Sequence, residues 1–140
     1  MIFDQDNKVV QLCSEGMEME GKGQSADAAH LFHKAWNIAN TDFEKFTAAH
    51  YVARHQANVS DKLYWDKTAL KHALNIDETT VKATLPSLYL NIAKCYEDLK
   101  DLDQAKNNYE TAFSFTSFLP DDEYGSMIKK GIINGLERTK

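Results

Sequence analysis

Two prolines and six glycines in 140 residues leave little material for the many tight turns of a β-sandwich, so the chain favours helices. Cysteine is equally scarce. Cys13 and Cys95 stand far apart and neither sits in a CxxC, so both are expected as free thiols packed as small hydrophobes, with no disulfide and no metal role. No run of 18 apolar residues exists and no basic amphipathic helix stands out, so no membrane attachment is expected. The N-terminus MIFDQDNKVV carries acid where a secretory leader would carry base, and the C-terminus LERTK has no lipidation signal. The expected location is cytoplasmic. Positive charge is also in deficit: the formal net charge is −5 and the pI about 5.5. Nucleic-acid binding therefore lacks its main electrostatic term, and no nucleic acid is expected as partner. Catalytic signatures are missing too. There is no glycine-rich phosphate loop, no GxGxxG, no HExxH and no GxSxG, so the expectation is a non-enzyme without a cofactor.

What is present is apolar spacing of three and four, with almost no alternation of period two. A first helix is expected from Asp4 or Asp6 through NKVVQLCSEGMEMEGK, burying Val9, Leu12, Gly16 and Met19. GKGQS supplies a turn, with Ser25 as cap of ADAAHLFHKAWNIA, whose inward face holds Ala28, Leu31, Phe32, Ala35 and Ile38. TDFE at 41–44 reads as a capping box that opens a helix running to about Asn58. Ser60 is expected to cap the next helix, with Leu63, Leu70, Ala73 and Leu74 inward. Pro86 suits the first turn of the fifth helix, Asp101 caps the sixth, and Asp121 or Asp122 opens the last, to about Arg138. TTVKAT before Pro86 stays open. About seven helices with short loops make an all-α chain.

Self-similarity lies underneath. Counted from Pro86, Tyr89, Ile92, Ala93 and Tyr96 fall at positions 4, 7, 8 and 11, and Ala105, Tyr109 and Ala112 at 20, 24 and 27. Counted from Val9, those positions hold Leu12, Glu15, Gly16, Met19, Ala28, Phe32 and Ala35, with Gly23 in the turn. Small residues at 8 and 20 let two helices approach, and aromatics at 11 and 24 fill the remaining gap. A middle unit from Thr47 is blurred, because Arg54 and Asp66 stand where small residues belong. The chain resembles a tetratricopeptide repeat protein, with units at about 9–42, 47–80 and 86–119 and a capping helix at about 121–138, all in one domain over 1–140. The starts are 38 and 39 residues apart, longer than the usual 34.

That resemblance implies a right-handed α-solenoid of antiparallel hairpins. It also implies a function: a binding module or adaptor that takes a peptide or helix of a protein partner in the concave groove lined by the first helices of the repeats. The candidate groove residues are Met17, Tyr51, Val52, His55, Asn58, Leu90, Asn91 and Lys94. Met17, Tyr51, Val52 and Leu90 offer apolar contact; His55, Asn58, Asn91 and Lys94 offer hydrogen bonds. The clamp by which one branch of the family grips a terminal carboxylate is not matched, since Cys13, Met17, Ser87 and Asn91 replace its cations and amides. His30 and His33 share a face but lack further ligands, so they read as an exposed pair rather than a metal site. In the last helix, Tyr124, Met127, Ile128, Gly131, Ile132, Gly135 and Leu136 form the inward stripe, and Ile133 lies off it. An exposed Ile133 would support the alternative function, a structural module that forms a homodimer through this helix or the convex face.

Overall fold

Among the described residues, seven long helices, one short one and a single 3-10 turn make up the fold. A computed structural model describes residues 4–140. The first three residues, part of the stretch read above for a leader, lie outside it. Among the described residues there is no strand, and no helix is long and apolar enough to cross a membrane. Contacts divide the chain into two compact units, Met1–Ile76 and Asp77–Lys140.

In the first unit, α1 (Lys8–Gly21) and α2 (Ser25–Ile38) form one hairpin, and α3 (Asp42–Ala53) and α4 (Val59–Ala73) form another. The three-residue and five-residue links leave each pair no arrangement but antiparallel. α3 then packs against both α1 and α2, which closes a core of Val9, Leu12, Cys13, Ala28, Phe32, Ala35, Ala48 and Val52. Gly16 is what allows the tight fit: a Cβ built there would overlap the Phe32 ring. Full burial of a ring such as Phe32 contributes about 1.5–3 kcal/mol relative to exposure.

The second unit repeats this plan. After a short α5 (Thr79–Lys82), α6 (Leu85–Asp98) and α7 (Leu102–Ser114) form a hairpin. A 3-10 turn at Thr116–Phe118 leads to α8 (Glu123–Arg138), which packs on both α6 and α7 as α3 does on α1 and α2. Its core is Leu90, Ala93, Ala105, Tyr109, Ala112, Ile128 and Ile132. Here Gly135 makes the room, since a Cβ built on it would overlap the Tyr109 ring.

The turns of the α1–α2 and α6–α7 hairpins are built alike. In α1 the Gly23 amide donates to Glu20 and the Gln24 amide to Met19; in α6 the Lys100 amide donates to Glu97 and the Asp101 amide to Tyr96. Both are Schellman endings, which need a left-handed residue at the turn. Gly23 takes that place at φ 75° without cost, and Lys100 takes it at φ 66° as a side-chain-bearing residue.

Most helix starts follow the local chemistry. Thr41 and Glu44 form the reciprocal capping box, Asp101 accepts from the Gln104 amide, Asp122 accepts from the Gly125 amide, and Pro86 sits in the first turn of α6. Other expectations need correction. Asn7, not Asp4 or Asp6, caps α1, because its side chain reaches the amides of Val9 and Val10. Ser25 is inside α2 rather than its cap: Gln24 precedes the helix, and it makes no side-chain cap bond. α3 stops at Ala53, well short of Asn58, and Asn58 itself caps α4 in place of Ser60 by accepting from the Asp61 amide. Ile38 and Leu74 are exposed rather than inward, the first at the last turn of α2 and the second at the C-cap of α4, where no neighbour covers them. Tyr124 and Met127 also face solvent, although they share the stripe with buried Ile128 and Ile132. Asp66 is fully buried and held by Lys62 at 2.7 Å, one turn earlier on α4.

Candidate partner-binding groove

α1 and α3 lie side by side with a cleft of about 230 Å³ between them, lined by Val10, Cys13, Ser14, Met17, Thr47 and Tyr51. Helical spacing on α1 sets out four of these residues on one face, and one turn of α3 separates the other two. The walls are mainly apolar. Met17 is 41% exposed and available to a ligand. The Tyr51 ring is stacked on Phe32, with centroids 5.0 Å apart and planes 17° off parallel, and the Arg54 guanidinium lies 5.3 Å from its centroid. Burial raises the Tyr51 phenol above its ordinary pKa, so it stays protonated and able to donate. Burial likewise pushes the Cys13 thiol up to about 12, which makes it an inert wall rather than a nucleophile.

One polar atom in this cleft is unsatisfied. Thr47 is buried, and its Oγ1 has no hydrogen-bond partner. An orphaned buried hydroxyl costs about 1–3 kcal/mol in a folded protein, so a ligand group that bonds to it gains on binding. His50, one turn further along α3, has a buried Nδ1 in the same condition, and desolvation lowers its pKa.

The other candidate residues of the first unit serve elsewhere. Val52 is part of the core. His55 Nε2 meets Glu20 at 2.7 Å, and Arg54 meets the same carboxylate at 3.1 Å, so a carboxylate near the end of α1 pins the residues just beyond α3. The Asn58 side chain is spent on Asp61, accepting from its amide and donating to its carboxylate. The structure thus brings Met17 and Tyr51 together. It adds Thr47, named from the sequence only as the start of the middle unit; α3 begins at Asp42, as the capping box at Thr41 indicates, so Thr47 lies in its middle.

In the second unit, Leu90 is buried against α8, where Gly131 leaves it space: a Cβ there would stand 3.3 Å from Leu90. Asn91 is half-buried and Lys94 exposed, both on the α6 surface. Behind them, Glu97 accepts from the Tyr109 hydroxyl at 2.7 Å and from Arg138 Nε at 2.8 Å. The Arg138 bonds hold the Glu97 carboxyl below its ordinary pKa. Burial first, and then the bond to Glu97, push Tyr109 up to about 12. Glu97 therefore ties the end of α8 as Glu20 ties the residues after α3. Among the described residues, no three His, Cys, Asp or Glu side chains come together as a metal site, and His30 and His33 are exposed.

In comparisons with known proteins, residues 86–117 match the family model described as tetratricopeptide repeat. No curated protein and no solved structure matches the chain. The matched segment is the hairpin α6–α7, with the Schellman turn at its bend and Ala93, Ala105, Tyr109 and Ala112 at its interface. Residues 86–117 thus form a tetratricopeptide repeat, and the match and the helix hairpins together support a repeat protein of the tetratricopeptide type.

Proposed function

We propose that the chain is a non-enzymatic, cytoplasmic adaptor that binds a peptide or helix of a protein partner, with the cleft between α1 and α3 as its main contact. Tetratricopeptide repeats generally mediate protein–protein interaction, which is the coarse part of the reading. The observation that carries the finer part is Thr47: a buried hydroxyl without a partner, set in a cleft whose walls are Val10, Met17 and Tyr51. A peptide offers what this arrangement lacks, an apolar side chain for the cleft and a backbone group for the hydroxyl. Within the second unit taken by itself, Asn91 and Lys94 on the first helix of the matched repeat are a separate candidate for polar contact with a partner. The acidic balance of the chain favours protein over nucleic acid.

The test is capture by wild type compared with Met17→Glu, an exposed position where the charge leaves the core intact. Circular dichroism establishes that both are folded. A partner retained by wild type and lost from the variant supports the cleft, and equal retention removes it from the reading.

A homodimer through α8 is the second reading, and Ile133 favours it. It is 42% exposed on the helix that ends the unit. Sedimentation over a hundredfold concentration range checks this: a mass that rises for wild type but not for Ile133→Glu supports the dimer, and a constant monomer mass dismisses it.

A further inference from the structure

The two units share a plan, and each can be laid on the other residue by residue. In both, a third helix packs on a hairpin: α3 on α1 and α2, α8 on α6 and α7. Phe32 and Tyr109 are the same number of positions apart as Glu20 and Glu97, which relates the hairpins. Contacts relate the third helices. Tyr51 lies on Phe32 and Gly135 lies against Tyr109, while Arg54 meets Glu20 and Arg138 meets Glu97. Tyr51 and Gly135 are separated by the same number of positions as Arg54 and Arg138, so one register maps α3 onto α8.

The plans differ in one respect. In the first unit a fourth helix, α4, covers the outer side of α2 and α3. Its Trp65 and His72 meet Trp36 of α2 with ring centres 5.0 and 6.4 Å apart. Phe46, Ala49 and Ala53, which lie outside the α1–α2–α3 core, are buried on the side of α3 that α4 packs against. Among the described residues the second unit has no fourth helix. The register puts Phe113 where the first unit has Trp36, and Lys130, Ile133 and Glu137 where it has Phe46, Ala49 and Ala53. Phe113 is 44% exposed and Ile133 42%. Two large apolar side chains thus stand uncovered at the positions that a helix covers in the other unit. An end that met only water would be polar at both.

We propose that the outer face of α7 and α8 is a docking site for an acidic amphipathic helix of a partner protein, seated there as α4 is seated on α2 and α3. The proposal stands on the second unit alone and not on the α1–α3 cleft. Charge selects the occupant. Lys129 and Lys130 stand one turn before Ile133, are exposed and make no ion pair, and no acidic residue lies within one turn of either on α8. The carboxylates nearby have cations of their own: Glu137 has Lys140 at 4.0 Å, Glu97 has Arg138, and Glu110, on the α7 side, has Lys106 one turn before it. A second copy, the occupant in the homodimer reading, brings the same excess of lysine to the face, whereas an acidic helix brings what the face lacks. Geometry selects the helix. In a helix antiparallel to α8, as α4 is to α3, an apolar residue opposite Ile133 is followed one turn later, on the same face, by carboxylates opposite Lys129 and Lys130. An extended strand turns neighbouring residues to opposite sides and does not present both groups in this way.

The probe is a helical peptide, fluorescein-GELLEELLEELLEEG-amide, kept dilute while the full chain is titrated against it and its anisotropy is read. The expected result is a saturable rise that weakens at least tenfold for Ile133→Glu and severalfold for Phe113→Ala. Lys34→Glu, at an exposed lysine of α2, leaves it unchanged. The double variant Lys129→Glu, Lys130→Glu loses the acidic peptide and gains the same peptide with lysine in place of every glutamate. All these positions are solvent-exposed, so the variants keep the fold, which circular dichroism records. No saturable rise up to roughly 1 mM chain overturns the proposal. Equal binding by Ile133→Glu overturns the site, and equal binding of a peptide whose central leucine is replaced by proline overturns the helix. A mass that doubles with concentration when no peptide is present, together with no peptide bound, overturns the proposal in favour of a second copy.

Discussion

Lys100 holds a left-handed backbone conformation that its counterpart Gly23 holds without a side chain. A left-handed non-glycine residue costs roughly 1 kcal/mol. Lys100→Gly is therefore expected to stabilise the protein by about 0.5–1 kcal/mol, read as a higher urea midpoint at unchanged slope. Unchanged or lower stability would mean that the Lys100 side chain contributes more than its backbone loses. His50 is a second residue whose local state has a measurable consequence. Burial depresses its pKa, while in the unfolded chain it titrates near about 6.5. The unfolded state then binds more protons as pH falls through that value, and stability falls with it. The expected outcome is a loss of stability between pH 7.5 and 5.5 that is smaller in His50→Leu, provided urea midpoints are compared at both pH values.

At the scale of elements, the close approach of helices rests on two glycines. Gly16→Ala drives a methyl group into Phe32, and Gly135→Ala drives one into Tyr109. Both rings are fully buried and cannot swing away, so each substitution is expected to cost about 1–3 kcal/mol. Hydrogen exchange should rise in α1–α3 for the first and in α6–α8 for the second. Gly21, with open space around it, is the control and should tolerate a methyl group without overlap. Beside its apolar packing, α8 is tied to α6 electrostatically. Because Arg138 depresses the Glu97 pKa, its contribution is present above about pH 4.3, the unfolded value, and is lost as pH falls through the lower folded value. Arg138→Gln should flatten the acid limb of the stability curve in that window. An identical acid limb in the variant would show that the bond leaves the fold indifferent.

For the whole molecule, charge sets solution behaviour. With a pI near 5.5, solubility is expected to pass through a minimum close to that pH, which turbidity against pH records. The architecture was legible in the sequence because steric demands repeat: small residues at Gly16, Ala28, Ala93 and Ala105, and rings at Phe32 and Tyr109, all of them buried at helix contacts. The middle hairpin was harder to read for a physical reason. Its five-residue link and an α3 that starts at Asp42 displace the first helix against the count, and the two small positions that fail are each held by an ion pair, Arg54 to Glu20 and Asp66 to Lys62. Met17 and Tyr51, named as what the resemblance implies, both line the α1–α3 cleft; Thr47 was not named, because a missing hydrogen bond leaves no trace in composition.

The stacking of Tyr51 on Phe32 has a consequence in time. Phe32 belongs to α2, but one face of its ring is covered by a residue of α3. A chain emerging from the ribosome completes the first hairpin while that face is still wet. The core of that hairpin becomes dry only when the next helix arrives. Assembly in the first unit thus runs one helix behind synthesis.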